Sequence, residues 1–442
     1  MGIMFLTVFT LAEIALVVLT LTKFREKIAW RKNRVIIRAA EAVLLLGIVL
    51  IPVTNMKWRF FFALIVLAVR LLIAGIVWLT MRKRNNGIRK KAVTVISCVL
   101  SVFFVAFSLV PSFIFTNYNG LPTTGEYKVS QTEAILVDNS RVDTFENDGS
   151  FTEVPVHFYY PENAEGKYPL VIFSHGAFGY YQSNFSTYAE LASNGYIVAA
   201  LDHPHHAAFT KNIDGNIITV DNNFIDDAMK IENGDDVTNE EIFSITQEWV
   251  EFRTTDESFL IDSIIEAKKS GKLNDYWHTE NEDIVLSVLN MTDTDKIGAM
   301  GHSLGGAAGI ELGRERSDID TVIDLDGTAL GEITDVKDDK FVVDSAAYPI
   351  PVLVFAHGDS SDDAVTSEMV NSAKDGKLIL CPKANHMDFT DLSMFSPFIS
   401  SMLSGESGVN SEEFMKNINS AVLNWFDYYL KNEGKLSIQE QY

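Results

Sequence analysis

The chain has 442 residues, a formal net charge of −23 and a mean hydropathy of +0.10. These averages combine two unlike parts. Residues 1–115 contain 16 Lys and Arg against 3 Asp and Glu, whereas residues 116–442 contain 20 against 56. The strongly acidic part argues against nucleic acid as a partner, because phosphate binding needs a basic face. The two cysteines, Cys98 and Cys381, lie in different parts, so we expect no disulfide between them.

The first part has the pattern of a membrane region. A helix needs about twenty predominantly apolar residues to cross the hydrocarbon of a bilayer. Four stretches meet this length, at residues 3–22, 35–53, 60–80 and 92–115. We therefore predict a transmembrane bundle of four helices within residues 1–115.

Basic residues in the loops predict how this bundle is oriented. Residues 23–34 and 82–91 each contain six Lys and Arg, whereas the loop between the second and third spans offers Lys57 and Arg59. Because basic loops stay on the cytoplasmic side, both termini and the acidic part are expected outside the cytoplasm. Charges within spans can mark a transport path or can pair helices and reach the interface. Glu13, Glu41 and Arg70 lie in or near the spans.

A G-x-S-x-G pattern at residues 301–305 organises the acidic part. The apolar run before it predicts a buried strand, and Ala307, Ala308, Ile310 and Leu312 after it predict a helix. Glycines on either side of the serine permit a sharp turn that exposes the hydroxyl. We therefore predict that Ser303 is a nucleophile and that the N–H of Leu304 faces the developing oxyanion.

The pattern of apolar runs predicts a doubly wound α/β domain with a mostly parallel sheet. After a linker at 116–126, the domain covers residues 127–442, with a cap-like insertion at about 203–295. A near-continuous apolar run such as residues 168–174 is typical of a strand buried on both faces. The predicted strands are 127–137, 151–160, 168–174, 196–201, the elbow strand, 320–326, 351–355 and 377–381.

A serine nucleophile needs a histidine base and a carboxylate that orients it, and in this kind of sheet both follow the serine in the chain. His386, just past the last strand, is the predicted base, and His357 is its rival. Asp326 ends the strand after the elbow helix and is favoured as the acid. The alternatives follow the next strand: Asp359, Asp362 and Asp363.

Two backbone N–H groups should bind the oxyanion, one from Leu304 and one from Ala177 in the loop after strand 168–174. His203, His205 and His206 could bind zinc or could line a pocket. No carboxylate or cysteine stands at a recognised ligand spacing from them, so we expect pocket-lining or exposed histidines, no metal and no cofactor.

Five segments carry a resemblance to a known family. The chain resembles the α/β-hydrolases that include the platelet-activating-factor acetylhydrolases and related bacterial esterases. The segments are FSHGAFG at 173–179, LASNGYIVAALDH at 191–203, GHSLGGAAG at 301–309, IDLDG at 323–327 and HMDFTD at 386–391. The resemblance covers about residues 150–430 and implies a triad of Ser303, Asp326 and His386, with oxyanion donors at Ala177 and Leu304. The four-span region lies outside it.

Three functions fit this architecture. The favoured one is a membrane-anchored serine hydrolase that cleaves an ester of a short or medium acyl chain, such as a lipid ester. An acyltransferase would use the same acyl-enzyme but pass the acyl group to a sugar or lipid. A non-catalytic membrane sensor or scaffold would keep the elbow only as architecture.

Overall fold

The computed structural model describes residues 1–23, 26–83, 87–234, 237–358 and 363–442. These residues form two compact units. One consists of Met1–Asn119 together with Met394–Met402, and the other of Gly120–Ser393 together with Leu403–Tyr442.

The first unit is helical. Three of its helical segments are long and apolar enough to cross a membrane: Gly2–Thr22, Lys57–Met81 and Lys91–Ser108. The second helix is not among them, because Arg34, Arg38 and Glu41 interrupt its apolar part. The helices are α1 (Gly2–Thr22), α2 (Lys27–Leu50), α3 (Phe61–Met81), preceded by a 3-10 turn at Lys57–Phe60, α4 (Lys91–Ser108) and α5 (Val110–Ile114).

The second unit is built on a nine-stranded sheet of order β13-β12-β9-β8-β3-β4-β2-β1-β7. The six strands from β13 to β4 are parallel, and β2, β1 and β7 extend the sheet with antiparallel pairs. Two hairpins, β5-β6 and β10-β11, lie outside it. The strands are β1 (Val129–Val142), β2 (Phe151–Pro161), β3 (Tyr168–Ser174), β4 (Ile197–Leu201), β5 (Phe209–Lys211), β6 (Ile217–Thr219), β7 (Trp277–His278), β8 (Thr292–His302), β9 (Thr321–Leu325), β10 (Ile333–Lys337), β11 (Lys340–Val343), β12 (Val352–His357) and β13 (Gly376–Cys381).

Helices cover both faces of this sheet, so the predicted doubly wound, mostly parallel α/β architecture is confirmed. On one face, Leu260 and Ile264 of α8 and Ile310 of α10 pack in the core. On the other face, Tyr188 of α6 and Trp425 of α14 do so. The remaining helices are α6 (Phe185–Ser193), α7 (Asn222–Asn233), α8 (Asn239–Ser270), α9 (Glu282–Met291), α10 (Leu304–Glu315), α11 (Ala364–Ser372), α12 (Leu392–Phe395), α13 (Pro397–Ser404) and α14 (Ser411–Phe426).

Glycines allow the junction of β8 and α10 to be very tight. A Cβ on Gly301 would lie 2.1 Å from the carbonyl carbon of Gly305, and a Cβ on Gly305 would lie 2.1 Å from the carbonyl oxygen of Ser174. Both distances are impossible for a real Cβ atom, and in both cases the obstructing atom is backbone. The start of α10 therefore touches the end of β3 only because these positions are glycine.

We expect Gly305→Ala to destabilise the fold, because neither the helix start nor the end of β3 can yield to the added methyl group. Overpacking of this kind costs about 3 kcal/mol. Gly309→Ala in the same helix is the matched control, since its Cβ would meet no atom closer than 3.8 Å. That control should be neutral or stabilising by up to about 1 kcal/mol. Thermal unfolding of the full chain in detergent measures both, and equal midpoints would contradict the tight contact.

Candidate active site

Ser303 sits at the turn between β8 and α10 in a strained backbone conformation. Its φ is 55° and its ψ is −124°, a region that residues other than glycine rarely adopt. The N–H of Ser303 donates to the carbonyl of Leu325 at 2.9 Å, and its own carbonyl accepts from Gly306 at 2.9 Å and from Ala307 at 3.1 Å. The neighbouring strand and the helix start thus hold the strained turn in place.

The structure brings the predicted acid and base together. Asp326 follows the end of β9, and His386 begins a 3-10 turn after β13. The Nδ1 of His386 donates to Oδ2 of Asp326 at 2.5 Å, which leaves Nε2 as the basic nitrogen of the ring. His302 Nε2 also donates to the backbone carbonyl of His386 at 3.1 Å. The residue before Ser303 is therefore hydrogen-bonded to the backbone of the predicted base.

His357, the rival histidine, binds the same carboxylate. The backbone N–H of His357 donates to Asp326 Oδ1 at 2.6 Å, and its ring nitrogen Nδ1 lies 2.8 Å from Oδ2. Burial alone would raise the pKa of Asp326, but hydrogen bonds from His357 and His386 outweigh it and hold the pKa below the usual value. The hydrogen bond to Asp326 raises the pKa of His357, whose side chain is half exposed. Asp326 therefore stays ionised between two imidazoles.

The alternative acids have different positions. Asp363 caps α11, because its carboxylate accepts from the N–H of Thr366 at 3.0 Å and from the Thr366 hydroxyl at 2.6 Å. Asp359 and Asp362 lie outside the described residues. Of the carboxylates whose contacts the described ranges give, Asp326 is the one bonded to His386.

The predicted oxyanion donors share one apolar cluster. Leu304 begins α10, where the first N–H groups of a helix have no acceptor within the helix. Ala177 packs against the cluster that contains Leu304. Gly176 brings its loop close to the elbow, since a Cβ there would lie 2.7 Å from Nδ1 of His302 and 3.2 Å from the Ser303 Cβ. Both donors are therefore close to the serine.

The three neighbouring histidines differ in their closest contacts. His203 lies between Ser174 and Asp256, His205 stacks on Phe145 with ring centroids 4.5 Å apart, and His206 stacks on Phe224 at 4.0 Å. Within the described ranges, the side chains close enough to share a metal ion are instead Asp326, His357 and His386, whose ligand atoms lie within 4.8 Å of one another. Their mutual hydrogen bonds already account for that arrangement.

A buried polar network lies behind the Ala177 loop, and sequence reasoning missed it. Arg253 of α8 donates to the carbonyl of His175. The Ser174 hydroxyl lies 2.9 Å from His203 Nε2, and His203 Nδ1 lies 2.8 Å from Oδ2 of Asp256. Burial keeps the pKa of His203 well below its usual value, so its ring is neutral. A neutral ring that donates a hydrogen bond from Nδ1 to Asp256 can accept a hydrogen bond from the Ser174 hydroxyl at Nε2.

This network fixes the backbone from which the Ala177 loop begins. Arg253 and Asp256 are fully buried, and Arg141 Nη2 donates to Oδ1 of Asp256 at 2.6 Å. Burial lowers the pKa of Arg253 to about 9. A sequence signal existed, because Arg253 and Asp256 stand on the same helical face as the apolar Val250 and Leu260. Charges on a core-facing stripe are the mark of such a network.

Comparison with known proteins places the chain in a family. Residues 141–438 match the family described as platelet-activating factor acetylhydrolase, isoform II. The platelet-activating factor acetylhydrolase of Cavia porcellus is 28% identical over 298 residues, which cover 63% of this chain and 61% of the relative. That of Canis lupus familiaris is 30% identical over 162 residues, covering 36% of this chain and 34% of the relative. The chain thus spans less than two thirds of these relatives.

A solved structure shares the fold. The ferulic acid esterase from Streptomyces cinnamoneus superposes with a TM-score of 0.53 at 19% identity, and the match covers 71% of this chain and 93% of that one. At this identity the likeness shows the α/β-hydrolase fold alone. The family match covers more than half of the sequence and includes the elbow, Asp326 and His386. The chain therefore belongs to the platelet-activating factor acetylhydrolase, isoform II family.

Proposed function

We propose that the chain is a membrane-anchored serine hydrolase that cleaves carboxylic esters. The observation that carries this proposal is the strained Ser303 turn beside the Asp326–His386 pair, within a domain of the acetylhydrolase family. A serine hydroxyl is a weak nucleophile and needs a base in this position to act at neutral pH.

In the proposed mechanism, Ser303 Oγ attacks the ester carbonyl while Nε2 of His386 accepts its proton. Asp326, ionised and bonded to Nδ1, stabilises the imidazolium. The N–H groups of Ala177 and Leu304 bind the oxyanion. When the tetrahedral intermediate collapses, His386 protonates the leaving alkoxide and an acyl-enzyme remains. Water, deprotonated by His386, then releases the acid and regenerates the serine without any cofactor.

The apolar cluster beside the oxyanion donors favours an acyl group rather than a charged substrate. Phe224, Val250 and Leu304 are its buried members, and Trp249 packs against it. The relatives are named as acetylhydrolases of platelet-activating factor. We therefore propose an ester with a short acyl chain, carried by a lipid.

We propose that the helical unit anchors the enzyme in the membrane as a four-span bundle. Three apolar segments support this, and α2 would be the fourth span once its charges are paired inside the bundle. The basic loops at 23–34 and 82–91 favour a cytoplasmic side for those loops. The α/β unit would then work outside the cytoplasm.

Ser303→Ala should lower hydrolysis of p-nitrophenyl acetate, butyrate and octanoate by the full chain at least about 1,000-fold, because the nucleophile is removed. Ser317→Ala, at an exposed serine of the same unit, is the matched control and should keep full activity.

A fluorophosphonate probe should label the parent chain and the Ser317 variant but not the Ser303 variant. Equal turnover by the Ser303 and Ser317 variants would contradict the proposal. An acyl ester of an added acceptor alcohol, formed faster than free acid, would indicate acyl transfer instead of hydrolysis.

The acid and base assignments are tested by two matched pairs. Asp326→Asn should reduce kcat by about 10,000-fold, because the amide no longer holds the productive tautomer, and His386→Asn should cost at least as much. Asp363→Asn and His357→Asn should keep activity within about tenfold, because neither residue is bonded to the base. Loss of activity in His357→Asn with turnover retained in His386→Asn would reverse the base assignment.

Arg253→Lys should lower kcat with little change in KM. Lysine keeps the positive charge but cannot reproduce the guanidinium contacts at the His175 carbonyl and the Ser174 hydroxyl. The loop that supplies one oxyanion donor would be less well placed, which costs about 10- to 100-fold in kcat. Arg316→Lys, at a partly exposed ion pair with Asp318, is the control. A rise in KM at constant kcat would assign Arg253 to substrate binding instead.

A further inference from the structure

The helical unit contains a buried polar cluster to which all four long helices contribute. Glu13 of α1, Arg38 of α2, Arg70 of α3 and Ser101 of α4 each lie near the middle of their helix. Arg38 is ion-paired with Glu13, and Arg70 Nη2 lies 2.6 Å from Oε1 of the same Glu13. The Ser101 hydroxyl accepts from Arg70 at 2.9 Å and from Arg38 at 3.2 Å. These contacts join the helices to one another.

The cluster leaves donors unused. Glu41 also pairs with Arg38, at 2.7 Å, so two acidic and two basic side chains balance in charge. Nevertheless, Nε of Arg38 and Nη1 of Arg70 are buried without a hydrogen-bond partner among the residues that the structure describes. Arg38 is 97% buried, its side chain being 3% exposed. A buried guanidinium donor without an acceptor is costly, most of all in a membrane.

A cavity of about 410 Å³ is lined in part by Arg38 and Arg70. Its lining includes Arg34, Arg38 and Arg70 but a single carboxylate, that of Glu13. The guanidinium of Arg34 lies 5.1 Å from the Trp30 ring and has no ion pair within the part of the chain that the structure describes. The inner lining therefore carries an uncompensated positive charge.

The outer lining has the opposite character. Ile65, Val69, Leu100 and Phe104 line the cavity, and all four are exposed on the surface of α3 and α4. Exposed apolar side chains on apolar helices face lipid tails in a bilayer. The cavity is therefore cationic inside and apolar at its lipid-facing rim.

We propose that this cavity binds a membrane lipid with an anionic headgroup. The headgroup would neutralise Arg34 and lie beside the guanidinium groups of Arg38 and Arg70, while its acyl chains would extend along Ile65 and Phe104. A free inorganic anion would match the positive charge of the inner lining but would make no contact with the apolar rim. The site rests on the proposed membrane insertion of the helical unit and not on ester hydrolysis.

The test uses the full chain reconstituted in phosphatidylcholine vesicles with a trace of spin-labelled phosphatidylglycerol or spin-labelled phosphatidylcholine. Electron paramagnetic resonance measures the fraction of each label that is immobilised by the protein. We expect phosphatidylglycerol to be held at least fivefold more strongly than phosphatidylcholine. Equal retention would overturn the proposal and leave water as the occupant.

Two variants locate the site. Arg34→Gln should abolish most of the preference for phosphatidylglycerol. This variant should fold, because Arg34 has no ion pair to lose among the described residues. Arg34→Lys keeps the positive charge and should retain the preference. Ser97→Leu narrows the cavity without changing its charge and should also remove the preference. Arg82→Gln, at an exposed arginine outside the cavity, is the control.

A similar loss in Arg82→Gln and Arg34→Gln would assign the preference to surface charge and overturn the site. Displacement of the label by added inorganic phosphate, at an ionic strength matched with sodium chloride, would show that the cavity takes a free anion rather than a lipid and would overturn the proposal. Ester hydrolysis by the Arg34 and Ser97 variants should match the parent chain. The lipid-binding result therefore stands whether or not the proposed activity does.

Discussion

The close backbone contact between the start of α10 and the end of β3 is the constraint on which the candidate site depends. Gly305 lies directly against the Ser174 carbonyl, and Gly176 lies against His302. Because no side chain separates these segments, the turn that carries Ser303 and the loop that carries Ala177 lie directly next to each other. Two N–H groups from distant parts of the chain can then serve a single oxygen atom. The strain at Ser303 persists because strands and helix around it are held by many other contacts.

Electrostatics at the site follow from how Asp326 is buried. A carboxylate removed from water is stable only when donors compensate for the lost hydration, and here His357 and His386 supply them. One of these imidazoles is half exposed and the other is tied to His302 through its carbonyl. The same carboxylate therefore binds two imidazoles, and the ring of His386 lies 4.6 Å from that of His302, the residue before Ser303.

Much of this architecture could be predicted from the sequence, because apolar runs such as residues 168–174 report burial directly. The elbow was predictable for a steric reason. A Cβ atom at Gly301 or Gly305 would collide with backbone atoms, so the turn requires glycine at both positions. The shared role of Asp326 was not predictable, because both His357 and His386 follow strand ends and only the packed sheet shows that both reach it. The sequence predicts only a cap-like insertion at about 203–295, and it does not show that Arg253 and Asp256 within this segment are fully buried. In α2, Arg38 is compatible with burial because Glu13 of α1 and Glu41 of α2 itself pair with it.

The network behind the Ala177 loop has a consequence for how such sites are recognised. Ser174, His203 and Asp256 are joined by contacts of 2.9 and 2.8 Å, distances that a catalytic serine, histidine and aspartate would also show. All three residues are buried, and Ser174 lies in the regular backbone of β3 rather than on a strained turn. A search for a serine hydrogen-bonded to a histidine and an aspartate would therefore find Ser174, which is buried. Ser303 is instead the candidate nucleophile because its backbone is strained and flanked by glycines.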